Sequence, residues 1–155
     1  MRILLDTTYV LPAIGVSVRG VPKDAIDRFA ARGDEMFISE ITLFELSAKG
    51  ARYVFEGSLP PERVTRGIDA ISYDDSIVKL RTCEVDVLRL ALKLRAMLGD
   101  FIDCLILASA VIHCEALVTE DDEIHGLKRA TAFEELMAAT GSACRIMRVG
   151  ELLRS

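Results

Sequence analysis

Histidine, tryptophan and paired cysteines are what this 155-residue sequence has least of. It contains two histidines, no tryptophan and four cysteines, and no two cysteines are spaced as C-x-x-C. Because the cysteines fall within apolar segments, we interpret them as buried, reduced thiols. The scarcity of histidine and of cysteine pairs argues against a zinc or copper centre and against a disulfide framework.

Long apolar runs are also missing. The longest uncharged apolar stretch, residues 104–112, is far shorter than the roughly 20 residues that a membrane span needs. Asp6 interrupts the first apolar run too early for a signal peptide, so we expect a cytoplasmic protein without a membrane segment. A mean hydropathy of +0.31 is high for a soluble monomer, which predicts that a partner subunit covers part of the surface.

Short apolar runs alternate with helical patterns, and no repeat or linker interrupts them, so we expect residues 1–155 to form one domain. The strand candidates are residues 3–5, 36–39, 76–82, 116–119 and 144–147. The helix candidates are residues 22–32, 42–55, 62–71, 85–98 and 103–114, with two short helices between the last two strands. This alternation predicts an α/β fold whose mostly parallel sheet is flanked by helices.

Four acids are predicted at helix starts on the side of the sheet where the strands end. They are Asp6, Glu45, Asp103 and Asp121. Ligands of open parallel sheets bind beyond the carboxyl ends of the strands, and a helix N-terminus keeps a carboxylate ionised. Carboxylates held together suit Mg²⁺ or Mn²⁺ rather than softer metals. Such a group accounts for the net charge of −5, which therefore does not exclude a nucleic-acid partner.

Structural roles remain open for the three aspartates. Asp6 and Asp121 stand where an N-cap would satisfy free backbone N–H groups. Asp103 can serve as a cap too, but its helical stripe continues through the apolar Leu107 and Ala110. An unpaired carboxylate on an apolar stripe is costly, so Asp103 needs a cation or strong hydrogen bonds.

On local grounds, a structural role is favoured for Glu45. Thr42 and Glu45 have the spacing of a capping box, in which Thr42 would cap the helix and Glu45 would be its third residue. Lys49, four residues further on, can form a surface ion pair with Glu45. The argument for Glu45 as a site residue therefore depends on its neighbours in the whole pattern.

Four segments in this order resemble the motifs of the PIN-domain family, many of whose small members are toxin ribonucleases of the VapBC type. They are LDTT at 5–8, ISEITLFEL at 38–46, DCLILASA at 103–110 and LVTEDDEI at 117–124. The resemblance covers nearly the whole chain. It implies a Rossmann-like, three-layer PIN fold, RNA hydrolysis with Mg²⁺ or Mn²⁺, a homodimer and a small antitoxin as partner.

The resemblance also implies roles for individual residues. Its catalytic and metal-binding residues would be Asp6, Glu45, Asp103 and Asp121. We further expect Thr8 to orient Asp6 or a metal-bound water, and Asp100 or Glu123 to form an outer shell. Two positions depart from the family pattern, where Glu120 replaces an asparagine and Glu123 replaces an aspartate. Both changes keep or add negative charge, so we expect metal binding to persist.

Other functions remain open beside RNA cleavage. The first is a non-catalytic module of the same fold that binds nucleic acid or protein. A phosphatase with Asp6 as its nucleophile ranks lower, because Thr8 stands where that pattern needs a second aspartate. Lys49 and Arg52 follow Glu45 along one helical face and either meet RNA phosphates or form a solvated surface.

Overall fold

The computed structural model describes residues 1–154, which form a five-stranded parallel sheet in the order β3-β2-β1-β4-β5. The strands are β1 Arg2–Leu5, β2 Glu35–Ser39, β3 Ile77–Leu80, β4 Ala116–Val118 and β5 Arg145–Met147. The helices are α1 Ala25–Ala31, α2 Glu40–Phe55, α3 Pro61–Ser72, α4 Val85–Leu94, α5 Phe101–His113, α6 Asp122–Gly126, α7 Thr131–Thr140 and α8 Val149–Leu152. The predicted α/β fold with a parallel sheet flanked by helices is confirmed.

The two faces of the sheet each belong to a separate apolar core. Ile3, Leu4 and Leu5 of β1 are all fully buried. Ile3 and Leu5 pack into one core, and Leu4 packs into the other, because successive side chains of a strand point to opposite faces. Burial on both faces explains why the central strands are continuous apolar runs rather than alternating ones.

The register of the sheet places the ends of β1 and β4 side by side. Leu5 pairs with Val118, and the backbone N–H of Asp6 then donates to the carbonyl of Val118 over 3.1 Å. Strand order runs outward from β1 through β2 to β3 on one side and through β4 to β5 on the other. The direction in which strands are added therefore reverses at β1, and such a reversal opens a crevice at the carboxyl edge of the sheet.

The predicted elements agree with the structure to within a few residues, but the predicted start of α2 is wrong. The helix begins at Glu40, with Ser39 as its N-cap, so Thr42 lies inside the helix and forms no capping box with Glu45. The hydroxyl of Thr82, at the end of the β3 segment, accepts a hydrogen bond from the N–H of Ile41 over 2.9 Å. A distant residue therefore supplies part of the cap.

The cysteines are free, as expected, but they are not all buried. Cys104 and Cys114 are buried and Cys144 is partly covered, whereas Cys83 is exposed in the turn before α4. None of the helices within residues 1–154 has the combined length and apolar character that crossing a membrane requires.

Candidate functional site

The carboxyl edge of the sheet brings together Asp6, Glu45, Asp103 and Asp121, which we call the acid group. Asp6 follows β1, Glu45 lies in the second turn of α2, Asp103 lies in the first turn of α5, and Asp121 precedes α6. The negative charges of the other three all raise the pKa of Asp103, together with that of Asp100. The four acids therefore act on one another electrostatically, although they lie far apart in the sequence.

Asp6 is the most deeply buried member of the acid group, with 7% of its surface exposed. Its Oδ1 accepts a hydrogen bond from the N–H of Thr7 over 2.7 Å, which caps the short turn that follows β1. Its Oδ2 accepts from the hydroxyls of Thr119 over 2.8 Å and Thr8 over 3.2 Å. Burial raises the pKa of Asp6 above its ordinary value, and these hydrogen bonds offset only part of the effect.

Two buried threonines hold the acid group in place and were not predicted. The hydroxyl of Thr119 donates to Asp6 and accepts from the N–H of Asp121 over 3.1 Å, so it links the ends of β1 and β4. The hydroxyl of Thr7 donates to Glu45. The sequence could have indicated these threonines, because each lies within two residues of an acid at a strand end.

Both oxygens of Glu45 have partners within the chain. Thr7 bonds to Oε2, and Lys49 Nζ lies 2.9 Å from Oε1, which confirms the predicted ion pair. Arg52 instead lies 3.5 Å from Glu56 and stacks over the ring of Tyr53. Of the two basic residues considered on this face, only Lys49 is engaged with the acid group.

Asp103 has neither a hydrogen-bond donor nor a cation among residues 1–154. It is not the cap of α5, because Asp100 accepts from the N–H of Ile102 over 2.7 Å and fills that position. Burial raises the pKa of Asp103 to about 7, with further contributions led by Asp6. The predicted apolar surroundings therefore exist, without a partner for the charge.

Asp121 is an N-cap, as its structural interpretation predicted. Its Oδ1 accepts from the N–H of Ile124 over 2.9 Å at the start of α6. Glu123 accepts from the N–H of Gly99 over 2.7 Å and thus ties the loop before α5 to α6. Asp100 and Glu123 therefore fix the helix starts that border the acid group.

Glu120 does not add its charge to the acid group as expected from the sequence. Its carboxylate accepts from the hydroxyl of Tyr9 over 2.7 Å and from the N–H of Val149 over 2.9 Å. Arg148 completes the network with a contact of 3.2 Å. Glu120 thus attaches the start of α8 to the first turn of the chain, whereas the acids named as raising the pKa of Asp103 are Asp6, Asp100, Asp121 and Glu45.

The donors at this edge fit a hard divalent cation in their chemistry. They are carboxylate oxygens, which Mg²⁺ and Mn²⁺ prefer as ligands. In the described chain, however, no three His, Cys, Asp or Glu side chains stand close enough to hold a metal together. One of the four carboxylates, that of Glu45, is paired with Lys49 inside the chain.

The acid group also lies apart from the larger concave surfaces. A cavity of about 540 Å³ beside β5 is lined by residues such as Phe133, Met137 and Met147. It is mostly apolar and contains none of the four acids.

Comparison with known proteins matches one family model and several solved structures, including two VapBC complexes. The PIN domain model matches residues 3–130. A chain of VapBC2 from Rickettsia felis, in a structure bound to a DNA fragment from their promoter, is 18% identical with a TM-score of 0.62. A chain of DNA-bound VapBC from Salmonella typhimurium is 22% identical with a TM-score of 0.57. Each match covers 96% of this chain and 98% of the other. No curated protein sequence matches.

Proposed function

The chain belongs to the PIN-domain family, and from that premise we propose that it is a metal-dependent endoribonuclease, the toxin of a toxin–antitoxin pair. The observation that carries the proposal is the state of Asp103. Its half-buried carboxylate has no donor in residues 1–154, and four other acids raise its pKa. Such a group is costly unless a cation binds beside it.

The four acids would be metal ligands with different surroundings. Asp6, Glu45, Asp103 and Asp121 would hold Mg²⁺ or Mn²⁺, which supplies, when bound, an activated water and neutralises charge on the attacked phosphate. Asp6 is the fixed ligand, because its hydrogen bonds hold both oxygens. Asp103 is the ligand without a competing partner. Lys49 is 40% exposed and, once released from Glu45, is available to an RNA phosphate.

The residues around the acid group act by holding it. Thr8 orients Asp6 through its hydroxyl, and Asp100 fixes the first turn of α5, from which Asp103 projects. Glu123 holds the loop before α5 against α6. These contacts fix Asp6 and the starts of α5 and α6, the framework from which the other carboxylates would reach a cation.

Two other functions fit the acid group less well. A phosphatase would need Asp6 as a nucleophile, but that carboxylate is 7% exposed and both of its oxygens accept hydrogen bonds. One observation supports a non-catalytic PIN module that binds nucleic acid or protein: no three metal donors converge in residues 1–154. It remains the second candidate, and the experiment below separates the two.

The partner proteins in this proposal are a second copy of the chain and a small antitoxin. The Rickettsia felis and Salmonella typhimurium structures are both VapBC complexes. Two helices also expose large apolar side chains, each between 60% and 93% exposed: Phe44 and Phe55 on α2, and Val85 and Leu92 on α4. Contiguous exposed apolar residues commonly mark protein interfaces.

The test is cleavage of a mixed RNA pool with Mn²⁺, with and without EDTA. Wild type should cut only with the metal, and Asp6→Asn and Asp103→Asn should abolish cutting because each removes a ligand charge while keeping its shape. Asp86→Asn is the matched control, since that aspartate is exposed on α4 and pairs only with Arg89. Undiminished cutting by both variants, or full activity in EDTA, contradicts the proposal. RNA binding without cutting by wild type favours the non-catalytic module.

A further inference from the structure

The outer face of α2 is apolar, although it does not face the core. Its exposed residues between positions 44 and 55 are Phe44, Ala48, Ala51, Arg52 and Phe55. Phe44 is 64% exposed and Phe55 is 93% exposed. The opposite face of the helix is buried through Thr42, Leu46 and Gly50. Because a surface helix normally turns a polar face to solvent, apolar residues on both faces indicate that a partner covers the outer one.

Four of these residues, Phe44, Ala48, Ala51 and Phe55, form a line along the helix that we call the α2 stripe. Their spacings of 4, 3 and 4 residues are those of the contact line between two paired helices. The order is also the same from either end, with a phenylalanine outside and an alanine inside. Two antiparallel copies would therefore place Phe44 against Phe55 and Ala48 against Ala51. The small alanines at the centre allow the two helices to approach closely.

The charges beside the α2 stripe favour the same antiparallel arrangement. Glu45 and Arg52 lie on one flank, each directly after a residue of the stripe. In an antiparallel pair this flank faces itself, so Arg52 of each copy comes opposite Glu45 of the other. The second flank carries the uncharged Ser47 and Val54, so a parallel pair, in which unlike flanks meet, gains no such attraction. Arg52 is available, because its side chain is 63% exposed and its contact with Glu56 is a surface ion pair of 3.5 Å.

We infer that two copies of this chain associate through antiparallel α2 helices, with the α2 stripe as their contact line. The inference rests on the homodimer of the proposed function, and it requires neither RNA cleavage nor a bound cation. A two-fold dimer uses the same patch on both copies, so a patch that is complementary to itself fits a second copy of the chain. Each copy then adds the positive charge of Arg52 beside Glu45 of the other, at the border of the acid group.

The first experiment measures the dimer dissociation constant of the full-length chain by sedimentation at micromolar concentrations. Ala48→Glu places two like charges at the centre of the contact line, so it should weaken the dimer at least about tenfold. Ala70→Glu is the matched control, because Ala70 is an exposed alanine on another helix, α3. Leu92→Glu changes the exposed apolar surface of α4 instead. Both of these variants should dimerise like wild type, and all three should keep the wild-type helical circular dichroism signal.

The second experiment tests the direction of the two helices by disulfide cross-linking with oxidised glutathione. It uses a Cys83→Ser background, because Cys83 is the exposed native cysteine. A mixture of Ala48→Cys and Ala51→Cys chains should form the mixed disulfide in preference to either disulfide between identical chains. Phe55→Cys chains should not link to one another, because their cysteines would lie about 16 Å apart along an antiparallel pair. In a parallel pair they would be neighbours and would link.

The outcomes separate this inference from the proposed homodimer. If wild type is monomeric at all concentrations, the homodimer is wrong, and the inference falls with it. If Ala48→Glu dimerises as tightly as wild type, the homodimer stands and the role of α2 is wrong; loss of the dimer in Leu92→Glu would then assign the interface to α4. Cross-linking between Phe55→Cys chains overturns the antiparallel arrangement.

Discussion

Replacing Asp103 by asparagine tests whether the charge of this carboxylate destabilises the protein in the absence of metal. The carboxylate has no donor in residues 1–154, and burial followed by the charges of Asp6 and Asp100 raises its pKa to about 7. The folded protein therefore binds a proton at Asp103 more tightly than the unfolded chain, where the pKa is near 3.8. The stability that this proton confers is fully present below pH 3.8 and is lost as the pH rises through 7.

The size of the effect follows from the two pKa values. A pKa of about 7 instead of 3.8 corresponds to roughly 4 kcal/mol at full strength. Because Asp103 is only half-buried, solvent screening reduces the cost of its charge, which comes first from burial and then from the neighbouring acids, to about 1–2 kcal/mol. At this chain length each kcal/mol changes the melting temperature by about 2–4 °C. We therefore expect Asp103→Asn to melt about 2–8 °C above wild type in EDTA at pH 8.

The assay is a set of melting curves for both proteins at pH 8 and pH 5, in EDTA and in Mn²⁺. At pH 5 the wild-type carboxyl is protonated when folded, so the difference in EDTA should shrink. Mn²⁺ at 100 times its dissociation constant should add about 2.7 kcal/mol to wild type and less to the variant, which reverses their order. The control is Asp86→Asn, which removes an exposed charge on α4. Its melting curve should follow that of wild type.

The reasoning would be refuted by a variant that melts below wild type in EDTA at pH 8 together with a wild type that Mn²⁺ does not stabilise. That combination means that the charge of Asp103 stabilises the start of α5 instead of being repelled there. A negative charge in the first turn of a helix normally has such an effect, worth about 0.3–1 kcal/mol.

Glu45→Gln should weaken Mn²⁺ binding in a calorimetric titration and leave the melting temperature in EDTA within a few degrees of wild type. The glutamine keeps an oxygen that can accept from Thr7, and the ion pair with the partly exposed Lys49 is worth about 1 kcal/mol. Unchanged affinity would exclude Glu45 as a ligand. Glu120→Gln should lower the melting temperature, because it weakens the bonds to Tyr9 and Arg148, while Mn²⁺ affinity stays at the wild-type value; a loss of affinity would place Glu120 in the metal site. Analytical ultracentrifugation at micromolar concentration should show a dimer, and a monomer alone would count against the homodimer.

The order of the strands and helices could be predicted from the sequence because the signals are local. The apolar run of residues 3–5 identifies a strand buried on both faces, and the neighbouring helical patterns imply parallel connections. The start of α2 could not be placed in this way. Thr82, some 40 residues away in the chain, helps to cap the helix, so the local spacing of Thr42 and Glu45 was misleading.

The surroundings of the acids could be predicted only in part. The burial of Asp103 beside Leu107 and Ala110 follows from the helical repeat, which the structure confirms. The role of Glu120 does not follow from its position next to Asp121, because Tyr9 and Arg148 draw its carboxylate into another network. Two neighbouring acids thus have different partners, because those partners come from distant segments that a local motif does not include.

By itself, then, the sequence determined the class of fold and the presence of acids at the ends of the strands, since both depend on residues that are neighbours along the chain. Only the tertiary structure decided which acids have partners. Thr119 reaches Asp6 across 113 residues and Thr7 reaches Glu45 across 38, whereas Asp103 receives no donor within residues 1–154. Hydrogen bonds between distant segments form only when the sheet has assembled, because its register brings their groups within bonding distance.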